Sequence, residues 1–210
     1  AAASASSSSS STSSSSSSSS FRSLVEQLKT RGRTLTVCEQ TTGGLINAKI
    51  MAVEGSSAVY WGGTVSYNTK KGLPFLMNDA QLQRRLLDNP LTRGTWESEA
   101  ELYVRTKLQA TAEIATAFLE AAGTDYAIAE GGAAGPTFRQ EGLTSGFSAL
   151  TIARWGRDGA AEIASQALVN SKTADREGNM ELFAASAAEE LLRVMDEEDE
   201  EASGSFIFYP

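Results

Sequence analysis

Three short segments carry the residue types that do chemistry. The first, Cys38-Glu39-Gln40-Thr41-Thr42-Gly43-Gly44, joins a carboxylate, two hydroxyls and two glycines. Unpaired N–H groups and the dipole at a helix N-terminus there favour a phosphate or carboxylate, and the glycines let a ligand approach the backbone. The plainer reading is that Thr42 caps the helix, Gly43 and Gly44 ease packing, and Glu39 holds the following loop through a hydrogen bond rather than acting as a catalytic carboxylate. The second segment, Gly55 to Lys71, places Tyr67 three residues before Lys70 and four before Lys71. A phenol and an ammonium in one pocket serve as acid and base, because burial or a neighbouring cation lowers a lysine pKa. The alternative is a surface tyrosine beside two solvated lysines. The third segment, Glu130-Gly131-Gly132-Ala133-Ala134-Gly135-Pro136-Thr137, is small enough for successive N–H groups to form an anion-binding concavity, or simply to turn. Arg176 adds a cation for a phosphate or a surface ion pair.

Composition narrows the chemistry. The 210 residues contain no His and one Cys. That excludes a Ser-His-Asp triad, a Cys-His dyad, a His-liganded metal and an intrachain disulfide. Proton transfer near neutral pH falls to Lys, Tyr, Asp, Glu, Cys or water. Cys38 lies inside a strand pattern and reads as a small buried filler. The formal charge of −8 is concentrated in Asp196-Glu197-Glu198-Asp199-Glu200-Glu201; the rest carries 20 acids against 18 bases. No basic run marks a nucleic-acid surface, and no apolar stretch is long enough to span a membrane.

The elements that position these segments follow from periodicity. Residues 1–20 hold fifteen Ser, four Ala and one Thr, too little apolar surface to offset ordering entropy, and are expected to be disordered. The chain starts at Ala1 without an initiator Met, which reads as processing, truncation or engineering. Residues 21–195 suffice for one domain. Phe21, Leu24, Val25 and Leu28 predict a helix ending near Gly32. A strand over Thr34–Cys38, a helix through Leu45, Ile46 and Ile50, and a strand over Tyr60–Tyr67 follow. Helices are predicted over Ala80–Leu87 and Ser98–Ala122, then a strand over Asp125–Ala129 with the third segment as the loop after it. Phe147–Ala153 and Ile163–Val169 flank Gly156-Arg157-Asp158-Gly159 as a hairpin. Thr173 is expected to cap a last helix facing inward with Leu182, Phe183, Ala187, Leu191 and Met195. The acidic run then continues as a solvated tail over 196–210, whose apolar end, Phe206 to Pro210, reads as a docking strand. Helices alternating with strands, closed by a hairpin, give an α/β fold with a mixed, mostly parallel sheet and helices on both faces.

Together the segments resemble the C-terminal domain of the competence/damage-inducible CinA proteins, the nicotinamide-mononucleotide amidohydrolases. That family runs Ala-Glu-Ser-Cys/Thr-Thr/Ser-Gly-Gly, then a Gly-Ser-Ser stretch leading to Gly-Gly-x-Val-x-Tyr, then Gly-x-Ala-Gly-Pro, then a Gly-Asp-Arg-like helix start. The matches are Glu39 with Thr42-Gly43-Gly44, Gly55–Tyr67, Gly132–Pro136 (through Ala134 and Gly135) and Ala174-Asp175-Arg176. The resemblance covers residues 21–195 and implies a three-layer α/β/α sandwich, often dimeric, hydrolysing the carboxamide of nicotinamide mononucleotide without a metal or cofactor. The molybdopterin-binding-like domain of longer members has no counterpart in these residues. The resemblance assigns the nucleophile to a serine of the first segment, activated by the Tyr and Lys of the second, with N–H groups stabilising the oxyanion. Tyr67 matches the tyrosine; Lys70 and Lys71 fall slightly before the usual lysine. Gln40 stands where the serine belongs, and Thr41 is the adjacent hydroxyl. Leu143-Thr144-Ser145-Gly146 replaces the Pro-Val-Gly that normally follows the third segment. Two functions stand side by side: an amidohydrolase of a small carboxamide, with Thr41 or an activated water attacking, and a non-catalytic nucleotide-binding or assembly module. The expected setting is soluble, in cytoplasm or an organelle stroma or matrix.

Overall fold

The structure is a computed structural model that describes residues 13–68, 72–73, 78–87 and 97–204. Lys70, Lys71, Phe206–Pro210 and the first twelve residues lie outside them. Helix α1 (Ser13–Arg31) buries Phe21, Leu24, Val25 and Leu28, as their spacing predicts. It begins inside the Ser-rich tract expected to be disordered. Once those apolar residues dock, each upstream residue adds a bond to an existing helix rather than nucleating one, and the Ser20 hydroxyl donates to Glu189 at 3.4 Å.

Strand β1 (Leu35–Glu39) is buried along its whole length. Its period of two sends Leu35 and Val37 into one apolar layer and Cys38 into the other. Helix α2 (Leu45–Met51) leads through a single 3-10 turn at Ser56–Ala58 to β2 (Tyr60–Val65). Helices α3 (Ala80–Leu87) and α4 (Glu99–Ala122) precede β3 (Tyr126–Ala133), β4 (Phe147–Trp155), β5 (Ala161–Asn170) and α5 (Arg176–Gly204). The sheet order is β2-β1-β3-β4-β5; the first three strands are parallel and the β3–β4 and β4–β5 pairs antiparallel. Residues of α1, α2 and α5 pack with Val37, Ile128, Leu150 and Ile152 on one face. Ile114, Ala115 and Leu119 of α4, with Leu82 of α3, cover Cys38, Ala127, Ala129 and Ala153 on the other. Among the described residues the result is the expected α/β architecture, a mixed five-stranded sheet between helical layers with the late hairpin.

Several boundaries differ from the expectations, each for a physical reason. Strand β3 continues through Glu130, Gly131 and Gly132, which were expected to form a loop. They pair with β4 in unbroken register from Glu130↔Leu150 to Ala133↔Phe147. The glycine is needed there: a Cβ on Gly132 would lie 2.0 Å from the Phe147 carbonyl oxygen. The cap of α5 is Asp175, whose Oδ1 accepts from the Gly178 N–H at 3.3 Å, and not Thr173. Thr173 instead joins the preceding turn, its hydroxyl donating to Asn179 at 3.3 Å. Leu182 is 39% exposed and stands off the inward face. The acidic run, expected as a solvated tail, is mostly exposed but continues the helix and is tied down by ion pairs. Asp196 and Asp199 lie 3.2 and 2.6 Å from the Arg31 guanidinium. Glu198 accepts from the Tyr126 hydroxyl at 2.6 Å and from Arg154 at 2.9 Å. Cations on α1 and the sheet thus carry α5 past the core. Among the described residues, no helix is long and apolar enough to cross a membrane.

Candidate functional site

The residues after β1 are organised by two buried carboxylates. Glu39, fully buried, accepts from the Thr42 hydroxyl at 2.6 Å, the Gly44 N–H at 2.7 Å and the Asn47 N–H at 2.6 Å. These are donors that a helix N-terminus leaves over, so Glu39 caps α2 from the strand end. Gly44 occupies the cap position with φ 106° and Gly43 has φ 65°, conformations that favour glycine. Thr42 donates to Glu39 and is not itself the cap.

Glu130 comes from β3 beneath the same loop. Its carboxylate accepts from the Thr41 N–H at 2.6 Å and the Thr42 N–H at 2.8 Å. The Ser148 hydroxyl approaches at 3.5 Å. Burial pushes the Glu130 carboxyl up to about 7, against the pull of those two N–H donors and with Glu39 adding repulsion. The loop amides expected to receive a ligand phosphate are therefore occupied by the protein's own carboxylates. Sequence reading named Glu130 only as the start of the third segment and gave it no role; an acid directly after the apolar strand run Tyr126–Ala129 was the available signal. Burial, with Glu130 and Glu39 nearby, pushes the Cys38 thiol far above its ordinary range, which agrees with an inert filler.

The open side of this loop faces a cavity of about 460 Å³. Gln40, Thr41, Tyr67, Gly132, Ala134, Gly135 and Arg176 all line it, so most of the expected site residues converge. Glu39, Thr42, Gly43 and Gly44 do not line it and act as its support. Thr41 is nearly buried, and its Oγ1 accepts from the Gly132 N–H at 2.5 Å. Gln40 is 6% exposed and folds over β3, where a Cβ on Gly131 would meet its Oε1 at 2.5 Å. Tyr67 is exposed, and its hydroxyl accepts from Arg176 at 3.4 Å. The Arg176 side chain lies against Gly135. Buried Asn179 ties α5 to this wall by donating to the Ala134 carbonyl at 2.7 Å. Lys107 of α4, which the sequence reading passed over because it sits within a long helical pattern, also lines the cavity. Among the described residues, no cluster of His, Cys, Asp or Glu has the makings of a metal site. The arrangement offers a hydroxyl whose oxygen already receives an N–H, a phenol, and two cations above a carboxylate floor.

With this geometry in hand, the comparisons with known proteins are specific. The model of the CinA C-terminal domain matches residues 18–82. A CinA-like protein of Chlorobium phaeobacteroides is 29% identical over 160 residues, covering 76% of this chain and 33% of the relative. A CinA-like protein of Parasynechococcus marenigrum is 35% identical over 112 residues, 52% of this chain and 22% of the relative. The chain thus spans about a third or less of the length of the curated relatives it matches. Among solved structures, the competence/damage inducible protein CihA from Agrobacterium tumefaciens superposes with a TM-score of 0.61 at 21% identity, covering 85% of this chain and 95% of that one. The competence or damage-inducible protein from Enterobacter asburiae gives 0.60 at 23% identity, covering 84% and 96%. The structural matches speak for the fold. In sequence the chain is similar to CinA-like proteins, and its residues 18–82 match the CinA C-terminal domain.

Proposed function

We propose that the chain is a nicotinamide-nucleotide amidohydrolase-like protein that keeps the nucleotide cavity and has lost the acyl-enzyme route through residue 40. The observation that carries this reading is Gln40 in the nucleophile's place, nearly buried, with its carboxamide packed over Gly131. An amide nitrogen has its lone pair delocalised and does not attack a second amide. The cavity retains groups suited to a nucleotide: the Arg176 guanidinium for a phosphate, the Tyr67 hydroxyl beside it, and a carboxamide at 40 that offers a donor and an acceptor to a substrate carboxamide. In this reading the chain serves as a nucleotide-binding module.

A second reading is favoured by the Gly132 N–H on Thr41 Oγ1 at 2.5 Å. That donor fixes the Thr41 oxygen at the cavity and favours its deprotonated form, so Thr41 is the hydroxyl this reading assigns to the attack. Calorimetric titration with nicotinamide mononucleotide tests the cavity. The parent is expected to bind, with an affinity about tenfold lower in Arg176→Gln, the loss of one charge-assisted contact. Absence of binding by the parent would end the proposal. Ammonia release that disappears in Thr41→Val would select the second reading.

A further inference from the structure

The cavity beside Gln40 is half of a longer trough. A second cavity, of about 750 Å³, lies next to it and shares Phe138 as a wall. Both walls run continuously from one to the other. The loop between β3 and β4 lines the first cavity with residues 134, 135 and 137, and the second with residues 136, 139–141 and 143–145. The turn before α5 lines the second with residues 172–174 and the first with Arg176. Each volume is within the range of a small-molecule site.

The second cavity is built. Phe138 is fixed at the junction by ring contacts to Tyr103 at 5.5 Å and Phe147 at 5.4 Å. Lys172 is one of two non-glycine residues with positive φ among those described, at 58°. The strained turn is locked by the Lys172 N–H on Asn170 Oδ1 at 2.9 Å and by the Ser171 N–H on the Gly146 carbonyl at 2.7 Å. Backbone strain of this kind persists where the surroundings enforce it, and it collects at ligand clamps. Arg139, on the cavity wall, uses one guanidinium nitrogen on the carbonyls of Pro136 and Phe138. Among the described residues, neither Arg139, Lys172 nor Arg176 has a carboxylate at ion-pair distance, whereas Arg31, Arg33, Arg154 and Arg193 all do. Among the described residues, Glu141 is the one acid on the second cavity's wall. Three cations without carboxylate partners thus follow the trough on either side of an aromatic ring.

We propose that the trough binds a dinucleotide, with its carboxamide-bearing ring and first phosphate in the cavity of Gln40 and Arg176, and its second phosphate and nucleoside in the cavity of Phe138, Arg139 and Lys172. The proposal rests on the nucleotide reading of the first cavity and extends it to a two-part ligand. Two cavities of comparable size joined past an aromatic ring suit two nucleosides, and the cations suit a pyrophosphate.

The test is calorimetric titration of the full chain with nicotinamide mononucleotide and with oxidised nicotinamide adenine dinucleotide. The variant is Lys172→Asn, since asparagine removes the charge yet tolerates a left-handed backbone; Arg139→Gln is the second. The dinucleotide is expected to bind about tenfold or more tightly than the mononucleotide. Each variant should lower dinucleotide affinity about five- to tenfold and leave mononucleotide affinity within about twofold. Equal affinities for the two ligands in the parent, or an equal loss for both in the variants, would overturn the inference while leaving the first cavity standing. Binding of neither ligand would overturn the nucleotide reading and this inference with it.

Discussion

Replacing Glu130 with glutamine should change how stability depends on pH, and the expected size follows from its surroundings. In the unfolded chain this carboxyl ionises near its ordinary value of 4.5; in the fold, burial holds its proton until about pH 7. Between those values the folded state binds more protons, so the group's contribution to stability falls as pH rises through the window and levels off above it. A gap of about two and a half pH units corresponds to about 3 kcal/mol. The neighbours set the direction: burial dominates, Glu39 opposes a second negative charge, and the N–H groups of Thr41 and Thr42 offset only part of both. Glutamine keeps the shape and one acceptor oxygen for those N–H groups, and cannot ionise. At pH 5 parent and Glu130→Gln should be of similar stability. At pH 8 the variant should be more stable by up to about 3 kcal/mol, or about 6–12 °C in Tm for a domain of this size. Urea unfolding followed by circular dichroism at the two pH values reads the difference directly, and other titrating groups cancel between the proteins. A parent–variant difference that stays constant from pH 5 to 8 would refute the reasoning. A variant that loses ground as pH rises would show that the two backbone donors outweigh burial and hold the carboxylate charged.

Two further outcomes follow from contacts elsewhere. Gly132→Ala should destabilise the fold by about 1–3 kcal/mol or more, because its Cβ would fall 2.0 Å from the Phe147 carbonyl oxygen in a paired strand; thermal unfolding checks this. Arg31→Ala should cost about 1 kcal/mol or less, since its partners Asp196 and Asp199 are mostly exposed, and the loss should shrink at high salt. Its clearer sign is faster amide exchange over the last turns of α5, where the acidic residues lose their anchor.

The alternation of helix and strand, the inward faces of α1 and α2, and the hairpin at 156–159 were legible because each rests on a local period or turn signal. So was the convergence of Gln40, Thr41, Tyr67 and Arg176, through the resemblance and the placement of each segment at a strand or helix end. What was not legible depended on partners distant in sequence. The Glu130 carboxylate meets the amides of Thr41 and Thr42 only once β1 and β3 pair, so a loop that looked like a free anion cradle is filled from below. Gly131 and Gly132 read as a turn because glycine does so locally, while the close passage of β4 is what requires Gly132 in a strand. The ion pairing of Asp196–Glu201 was not legible because its cations sit on α1 and β4. Lys107 carries no local signature at all; the fold alone brings α4 to the rim of the cavity.

The central claim is that the nucleotide cavity persists while the attack through residue 40 is gone. The most direct measurement is ammonia release from nicotinamide mononucleotide by the purified parent beside Gln40→Ser. The account predicts background release by the parent and release above background by the serine variant. Sustained release by the parent that Gln40→Ser fails to raise would contradict it.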